Sequence, residues 1–516
     1  MTAENFTATY TQLAHALREA GFTSEAISAH LGPQASEALY RGEPGAVFAA
    51  CRDDSTLSRL IRFFLLREPM LGEVVASVLS SRLVLSLLDV SLIQRLPSGD
   101  LQVAYDVRPH VIAGQNRLIL SDLDASTTQR TLGADHVLGV GAASLSLLSA
   151  SPCTPTGTVL DLGTGSGVQA IAQSGCADHV VATDIHPRAL ALAAANLASH
   201  CITNVELREG SWFEPVSGEK FDRIVANPPF VVGVGQIDHV YRDSGLDLDA
   251  ASELVVSSVP KHLAPGATAH VLGAWVHTVD GSWQQRVSSW LPARGISAWV
   301  LQRDVVDPEM YVATWLKDES IDPRSREGID KTQRWLEHFR NNNVHAIGVG
   351  WIFLREIGDA TTEVTAEDLT HPFSDPLAPE VSEFFERMAW LRDSSPESIL
   401  DSRFLLRPTV AVEEVSVADS ETGMGFTRKV VRLTRMDGPR WTHEVDSGLL
   451  SLLSGLHPQG LALRDVVELW TMSQEGREHA DATGDDASVA ESAVAAIVDL
   501  VRHGLVIPAD IAELVA

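Results

Sequence analysis

The most constraining stretch of this chain runs from Thr158 to Gly167. A short apolar run, Thr158, Val159 and Leu160, reaches Asp161 and then breaks into Leu162, Gly163, Thr164, Gly165, Ser166 and Gly167. That pattern predicts a strand, a tight turn and a helix start. Glycines at such a turn adopt positive φ and let a ligand lie against bare backbone, while the helix that follows, Val168 to Gln173, offers unpaired N–H groups. The spacing is G-x-G-x-G, whereas a nicotinamide dinucleotide fingerprint needs its third glycine one place later. A second strand, His179 to Thr183, ends at Asp184, 184 − 161 = 23 residues after Asp161. An acidic side chain about 20 positions on is where a doubly wound sheet recognises the hydroxyls of a ribose.

A third piece, Phe221 to Phe230, reads FDRIVANPPF, a strand that runs into two prolines. Each proline fixes φ and removes a donor, so the turn is stiff and Asn227 is held at the strand's carboxyl end. A planar amine or amide nitrogen is a poor nucleophile because its lone pair is delocalised. The Asn227 side-chain oxygen and the Pro228 carbonyl can accept N–H bonds from such a nitrogen, with Pro229 stiffening the turn and Phe230 stacking on the flat group. Orientation and local electrostatics would supply most of the rate. The alternative reading is a rigid connection in which Asn227 only caps a turn.

With these three pieces in place, residues 135–275 resemble the class I S-adenosylmethionine-dependent methyltransferases of the "methyltransferase small" branch. That branch carries an [N/D]PP[F/Y] motif and includes release-factor glutamine and rRNA N-methyltransferases. The resemblance implies a Rossmann-like doubly wound α/β sheet with the last strands antiparallel. It puts Asp161, Leu162, Gly163, Thr164, Gly165 and Gly167 at the methionine end of the cofactor and Asp184 with Ile185 on its nucleoside. Ser211 and Trp212 fall near the adenine, and Asn227 sits between cofactor and target nitrogen. Ser211 stands where related enzymes usually have an acidic residue. Asp135 to Gly141 falls where relatives close over the methionine tail. Tyr241, Arg242 and Asp243 follow the Asn-Pro-Pro turn by about a dozen residues and read either as a lid or substrate loop or as a surface loop with one ion pair. The released product would be S-adenosylhomocysteine. The whole layout is similar to an actinobacterial methyltransferase family with added N- and C-terminal domains.

A chain of 516 residues is too long for one core, and three domains are expected: 1–125, 126–356 and 357–516. In the first, helices are expected at 9–20, 24–30, 55–66, 71–79 and 82–95, followed by two hairpin strands. In the last, helices are expected at 447–456, 462–472 and 488–503, with a final strand in LVRHGLVIP. Both flanks read as helical and winged-helix-like, which suits a substrate clamp. Between 357 and 380 the chain loses periodicity and reads as the crossing into the third domain.

The net charge of −29 opposes the attraction to phosphate that supplies most nucleic-acid affinity. Much of it lies in the tail, where residues 357–516 hold 12 Lys+Arg against 29 Asp+Glu, a net of −17. No run of 18 apolar residues and no signal-peptide pattern occurs, so a cytoplasmic protein without a membrane partner is expected. Cys51, Cys153, Cys176 and Cys201 lack C-x-x-C spacing and the histidines lack H-E-x-x-H spacing, which argues for reduced thiols and against a metal site. Three functions remain open. The leading one is N-methylation of a planar nitrogen in a macromolecule, either a nucleobase amine in RNA or a ribonucleoprotein, or a glutamine amide in a protein. The others are a small-molecule N-methyltransferase and a non-catalytic cofactor-binding module.

Overall fold

Apolar residues three and four apart draw the first helices onto one core. On α1 (Ala3–Glu19) they are Tyr10, Leu13, Ala14 and Leu17, all buried. The computed structural model describes residues 3–123, 135–235, 243–369, 371, 376–473 and 486–513. After α1 come α2 (Ser24–Tyr40), broken at Gly32, α3 (Pro44–Ala50), α4 (Thr56–Leu60), α5 (Gly72–Leu79) and α6 (Ser81–Asp89). The helix expected to reach residue 95 stops at Asp89. Ser91 takes a positive φ of 59°, and Ile93–Arg95 instead forms β1, paired antiparallel with β2 (Leu101–Val103) across the Gly99 turn. A second hairpin, β3 (Asp106–Ile112) with β4 (Gln115–Ser121), leads toward the main sheet.

That sheet begins after α7 (Ala142–Ala150) with β5 (Thr156–Leu162), α8 (Val168–Gln173), β6 (Ala177–Asp184), α9 (Pro187–Ser199), β7 (Val205–Glu209) and β8 (Phe221–Ala226). A two-residue pair, β9 (Gly233–Val234) and β10 (Asp247–Leu248), follows. Next come α10 (Ala250–His262), β11 (Leu263–Thr278), α11 (Trp283–Ser288), β12 (Arg294–Val306), α12 (Pro308–Asp318), α13 (Arg326–Asn341), β13 (Val344–Thr361) and β14 (Glu363–Asp368). Among the described residues the sheet has eight strands in the order β14-β12-β13-β11-β8-β5-β6-β7. Strands β7, β6, β5, β8 and β11 run parallel, and β13 is antiparallel to both β11 and β12. This is the methyltransferase-like α/β architecture. The order reverses at β5, so the carboxyl ends of β5, β6 and β8 open a crevice at the switch point.

The chain at 357–368 is therefore no linker. Backbone pairing carries β13 to Thr361 and adds β14 beside β12, with Ser297 and Trp299 donating to Glu363 and Glu367. β11 also outruns its parallel neighbour: Val271 opposes Ala226, the last residue of β8, and Leu272–Thr278 continue beyond it against β13. Helices α12 and α13 cover this extension through Tyr311, Val312, Leu316, Trp335 and Phe339. Trp275 Nε1 donates to Gln302 Oε1 at 2.8 Å across β13, and a Cβ at Gly348 would overlap both groups, so only glycine fits there.

The chain divides into two units, Met1–Asp368 and Leu369–Ala516. The second contains α14 (Ala378–Asp393), α15 (Pro396–Asp401), β15 (Phe404–Leu406), β16 (Val410–Ala418), β17 (Phe426–Arg435), β18 (Thr442–Val445), α16 (Ser447–Leu453), α17 (Leu463–Thr471), α18 (Asp486–Arg502) and β19 (Val506–Pro508). β19 pairs with β15, and β16, β17 and β18 form an antiparallel meander. Its interior buries Arg387 and Arg435 against Glu380, at 2.7 and 2.5 Å, so the buried charges are paired.

Candidate active site

At the end of β5 the chain turns through Gly163 (φ 74°) and Gly165 (φ 56°), and no atom lies within 4 Å of a Cβ built at either position. The loop is held from several sides. Thr164 N donates to Thr183 O on β6 at 2.8 Å. Asp161, 1% exposed, accepts from the Thr164 hydroxyl at 2.6 Å and from Ala170 N at 2.9 Å, and burial pushes its carboxyl up to about 7. Asp184 accepts from Gly165 N on one carboxylate oxygen and from His186 N on the other, both at 2.9 Å. Burial raises its pKa while those two N–H groups oppose the rise.

The opposite wall comes from the segment before α7. Asp122, just after β4, accepts from Val137 N at 2.9 Å and donates its own N–H to Val137 O at 3.1 Å. Arg188 on α9 donates to both Asp122 carboxylate oxygens, at 3.2 Å through Nε. Behind the glycine turn, the fully buried Asn196 connects α9 to β4 and to the loop. Gln169 on α8 donates to Ser144 O on α7 at 2.9 Å, closing the floor between the two helices.

These elements enclose a cavity of about 260 Å³. Of the residues singled out in the sequence, Leu162, Gly163, Thr164, Gly165, Asp184, Ile185, Ser211, Trp212, Asn227, Pro228, Pro229 and Asp243 line it. Asp135 to Gly139 also face it, as does His186. Three do not. Asp161 points into the protein and braces the turn. Gly167 caps α8 in the left-handed region against Ala193, a close approach that a side chain would obstruct. Phe230 turns away from the cavity to pack on the cluster of Tyr311, Trp335 and Phe339. Tyr241 and Arg242 lie outside the described residues.

The sequence reading missed Ser144, Gln169, Thr183, Ala189 and Ser244 on the wall, and Asp122, Arg188 and Asn196 behind it. A usable signal existed for two of them. Gln169 and Asn196 are amides within mainly apolar helical stretches, VQAIAQ and AAANLAS, where a buried polar side chain needs a partner. The turn after β8 is also anchored from a distance, since Val232 N donates to the Tyr311 hydroxyl on α12 at 2.8 Å.

A mostly parallel sheet with this strand order and a glycine turn, an acidic strand end and an Asn-Pro-Pro turn on one cavity define a class I methyltransferase domain. Residues 138–244 match the family model described as Methyltransferase small domain, and this segment belongs to that branch of the S-adenosylmethionine-dependent methyltransferases. Residues 19–104 and 382–508 match two domains of unknown function, DUF7059 and DUF7782. The release factor glutamine methyltransferase of Xylella fastidiosa is 35% identical over 157 residues, covering 28% of this chain and 55% of that protein. The Yersinia pestis protein of the same name is 36% identical over 175 residues, covering 31% and 58%. The chain thus spans little more than half the length of these curated relatives. Among solved structures, an rRNA methylase from Streptococcus thermophilus aligns with 12% identity and a TM-score of 0.24, over 43% of this chain and 100% of that one.

Proposed function

We propose that this chain is an S-adenosylmethionine-dependent N-methyltransferase that acts on a planar nitrogen of a macromolecule and releases S-adenosylhomocysteine. The observation that carries this reading is that Asn227, Pro228 and Pro229 share one cavity with the Gly163–Gly165 turn and Asp184. The residues present suit the cofactor. Each Asp184 oxygen spends one lone pair on a backbone N–H and keeps another for a ribose hydroxyl. Ile185, 55% exposed, and Trp212 offer apolar surface to a base, with Ser211 beside them. The open glycine backbone of Gly163 and Gly165 admits the amino-acid end, under the wall of Asp135 to Gly139.

When bound, S-adenosylmethionine supplies a methyl group activated on a sulfonium. The chain's own residues do the rest by positioning. Asn227 Oδ1 and the Pro228 carbonyl accept the N–H groups of the target nitrogen, which localises its lone pair and aims it into the cavity. Asp243 and Ser244 on the cavity wall hold the acceptor side. Asp161 keeps the turn in place and takes no proton from substrate.

Between the two planar nitrogens, a glutamine amide of a protein is the first choice, because the net charge of −29 disfavours phosphate and the similar proteins above are release factor glutamine methyltransferases. A nucleobase amine in RNA or a ribonucleoprotein is the second. It is favoured by the NPPF form of the motif and by the winged-helix-like reading of the two flanks, which would then bind nucleic acid. We place the protein in the cytoplasm; no helix among the described residues is long and apolar enough to cross a membrane.

The test is transfer of tritiated methyl from S-adenosylmethionine into a lysate of a strain lacking the gene, followed by RNase, DNase or protease digestion. Label removed only by protease supports the glutamine reading, label removed by RNase supports RNA, and no incorporation into any macromolecule would overturn the proposal.

A further inference from the structure

The amino ends of β5 and β6 carry a second cluster of reactive groups that the methyl-transfer reading does not use. Cys153 lies in the segment between α7 and β5, exposed, and Cys176 lies between α8 and β6, half-buried. Both sulfurs converge on one carboxamide: Gln173 Nε2 is 4.0 Å from Cys153 Sγ, and Cys176 Sγ is 3.7 Å from Gln173 Oε1. The backbone holds them in register, since Thr156 N donates to the Cys176 carbonyl at 2.9 Å. Arg223 on β8 completes the cluster. Its guanidinium donates to Gln173 Oε1 at 2.8 Å and to Thr154 Oγ1 at 2.9 Å, and approaches the Cys176 sulfur at 3.7 Å.

From this geometry we infer that Cys153 and Cys176 form a reversible disulfide on exposure to a hydroperoxide. Positive charge beside a sulfur and access to solvent are what select a thiol for oxidation. Cys176 has Arg223 beside it and reacts first. Its thiolate attacks the peroxide oxygen, the O–O bond breaks, and Cys176 becomes a sulfenic acid while the departing alkoxide or hydroxide takes a proton. The Cys153 sulfur then attacks the Cys176 sulfur, the S–S bond forms, the S–O bond breaks, and the hydroxyl leaves as water with the Cys153 proton. One hydroperoxide is reduced and two thiols are oxidised. Partial desolvation of its sulfur and the neighbouring Cys176 thiol push Cys153 up to about 11, which keeps it protonated until that second step. A dithiol reverses the reaction by exchange.

The bond joins the chain after α7 to the chain after α8, the two helices that carry Ser144 and Gln169 on the cavity wall. The site is thus a thiol pair rather than a single sensor, and the second sulfur protects the first from further oxidation.

The experiment treats the full chain with hydrogen peroxide and maps its cysteines by peptide mass spectrometry without reduction. The expected result is loss of two hydrogens and a crosslinked peptide joining Cys153 to Cys176, both undone by dithiothreitol and both retained in Cys201→Ser. In Cys153→Ser, Cys176 should accumulate as a sulfenic acid captured by a carbon-nucleophile probe. Cys153 and Cys176 recovered as unlinked thiols, as separate sulfinic acids, or each crosslinked to Cys201 would overturn the proposal.

Discussion

Asn196 donates to the carbonyl of Ser166 at 2.8 Å, so a side chain on α9 holds the glycine turn in place. The same amide donates to Leu120 O at 2.9 Å and accepts from Leu120 N at 2.8 Å on β4. Asn196→Ala strands three buried backbone groups and should lower stability by about 1–3 kcal/mol. It should also weaken cofactor binding, because the turn loses its support. Thermal melts with and without S-adenosylmethionine check both effects, and an unchanged melting temperature would show that the amide is dispensable.

Asp184 supports the turn and faces the cavity at once. Asp184→Asn keeps the side-chain shape but removes the charge and one acceptor, so affinity for S-adenosylhomocysteine should fall roughly tenfold or more, the scale of a charge-assisted hydrogen bond. Calorimetric titration reads it directly. Equal affinity in the variant would put the nucleoside elsewhere.

Asn227 is expected to behave differently. Asn227→Ala should leave cofactor affinity within a few-fold while lowering kcat by roughly 100-fold or more, the loss associated with one preorganised polar group. A variant as active as the parent would remove the role given to the Asn-Pro-Pro turn.

Tyr311 tests whether that turn is positioned from α12. Tyr311→Phe removes only the hydroxyl that accepts from Val232 N, leaving a buried N–H unpaired at a cost of about 1–3 kcal/mol. The consequence should appear in kcat more than in KM for the cofactor. A variant that is destabilised yet turns over normally would make the contact purely structural.

Asp161 gives the chain a distinctive pH dependence. Its carboxyl is raised by burial from the ordinary 3.8 to about 7, so between those values the folded state binds the proton that the unfolded state releases. The contribution to stability is greatest below about pH 4 and declines as pH rises toward 7. Above that it levels off. Asp161→Asn lacks this titration, so its stability relative to the parent should improve from pH 4 to pH 8, by as much as about 4 kcal/mol. Denaturant unfolding across that range tests it; parallel profiles for the two proteins would rule the shift out.

The parts of the site that the sequence made legible are those built from local chain. Gly163, Gly165, Asp184, Asn227 and the two prolines sit at strand ends, where one strand and its turn determine position. What escaped depends on contacts between distant segments. Nothing local tells Gln169 that it will meet Ser144, or Asp122 that Val137 will pair with it 15 residues later. Asp161 was misread because its motif position says nothing of which way the carboxylate turns once Ala170 and Thr164 compete for it. The same division holds for the fold. Strands β5, β6 and β8 were apparent from their apolar runs, whereas β7, VELRE, carries no such run. The meander of β16, β17 and β18 was not, because its exposed, charge-rich strands carry little of the alternation that marks a buried face. Ser91 likewise ended a helix that composition alone would have continued.

The pairing of Asp122 with Val137 and Arg188 bears on how such a protein can be taken apart. A fragment starting after residue 135 would retain every glycine and every proline of the motifs, yet it would lack the carboxylate on which the cavity's near wall hangs and the strand that Asn196 grips. The proposed methyl-transfer site of this chain is consequently no portable cassette: the leading hairpin is part of the vessel, and transplanting the segment that holds the motifs means carrying that hairpin along.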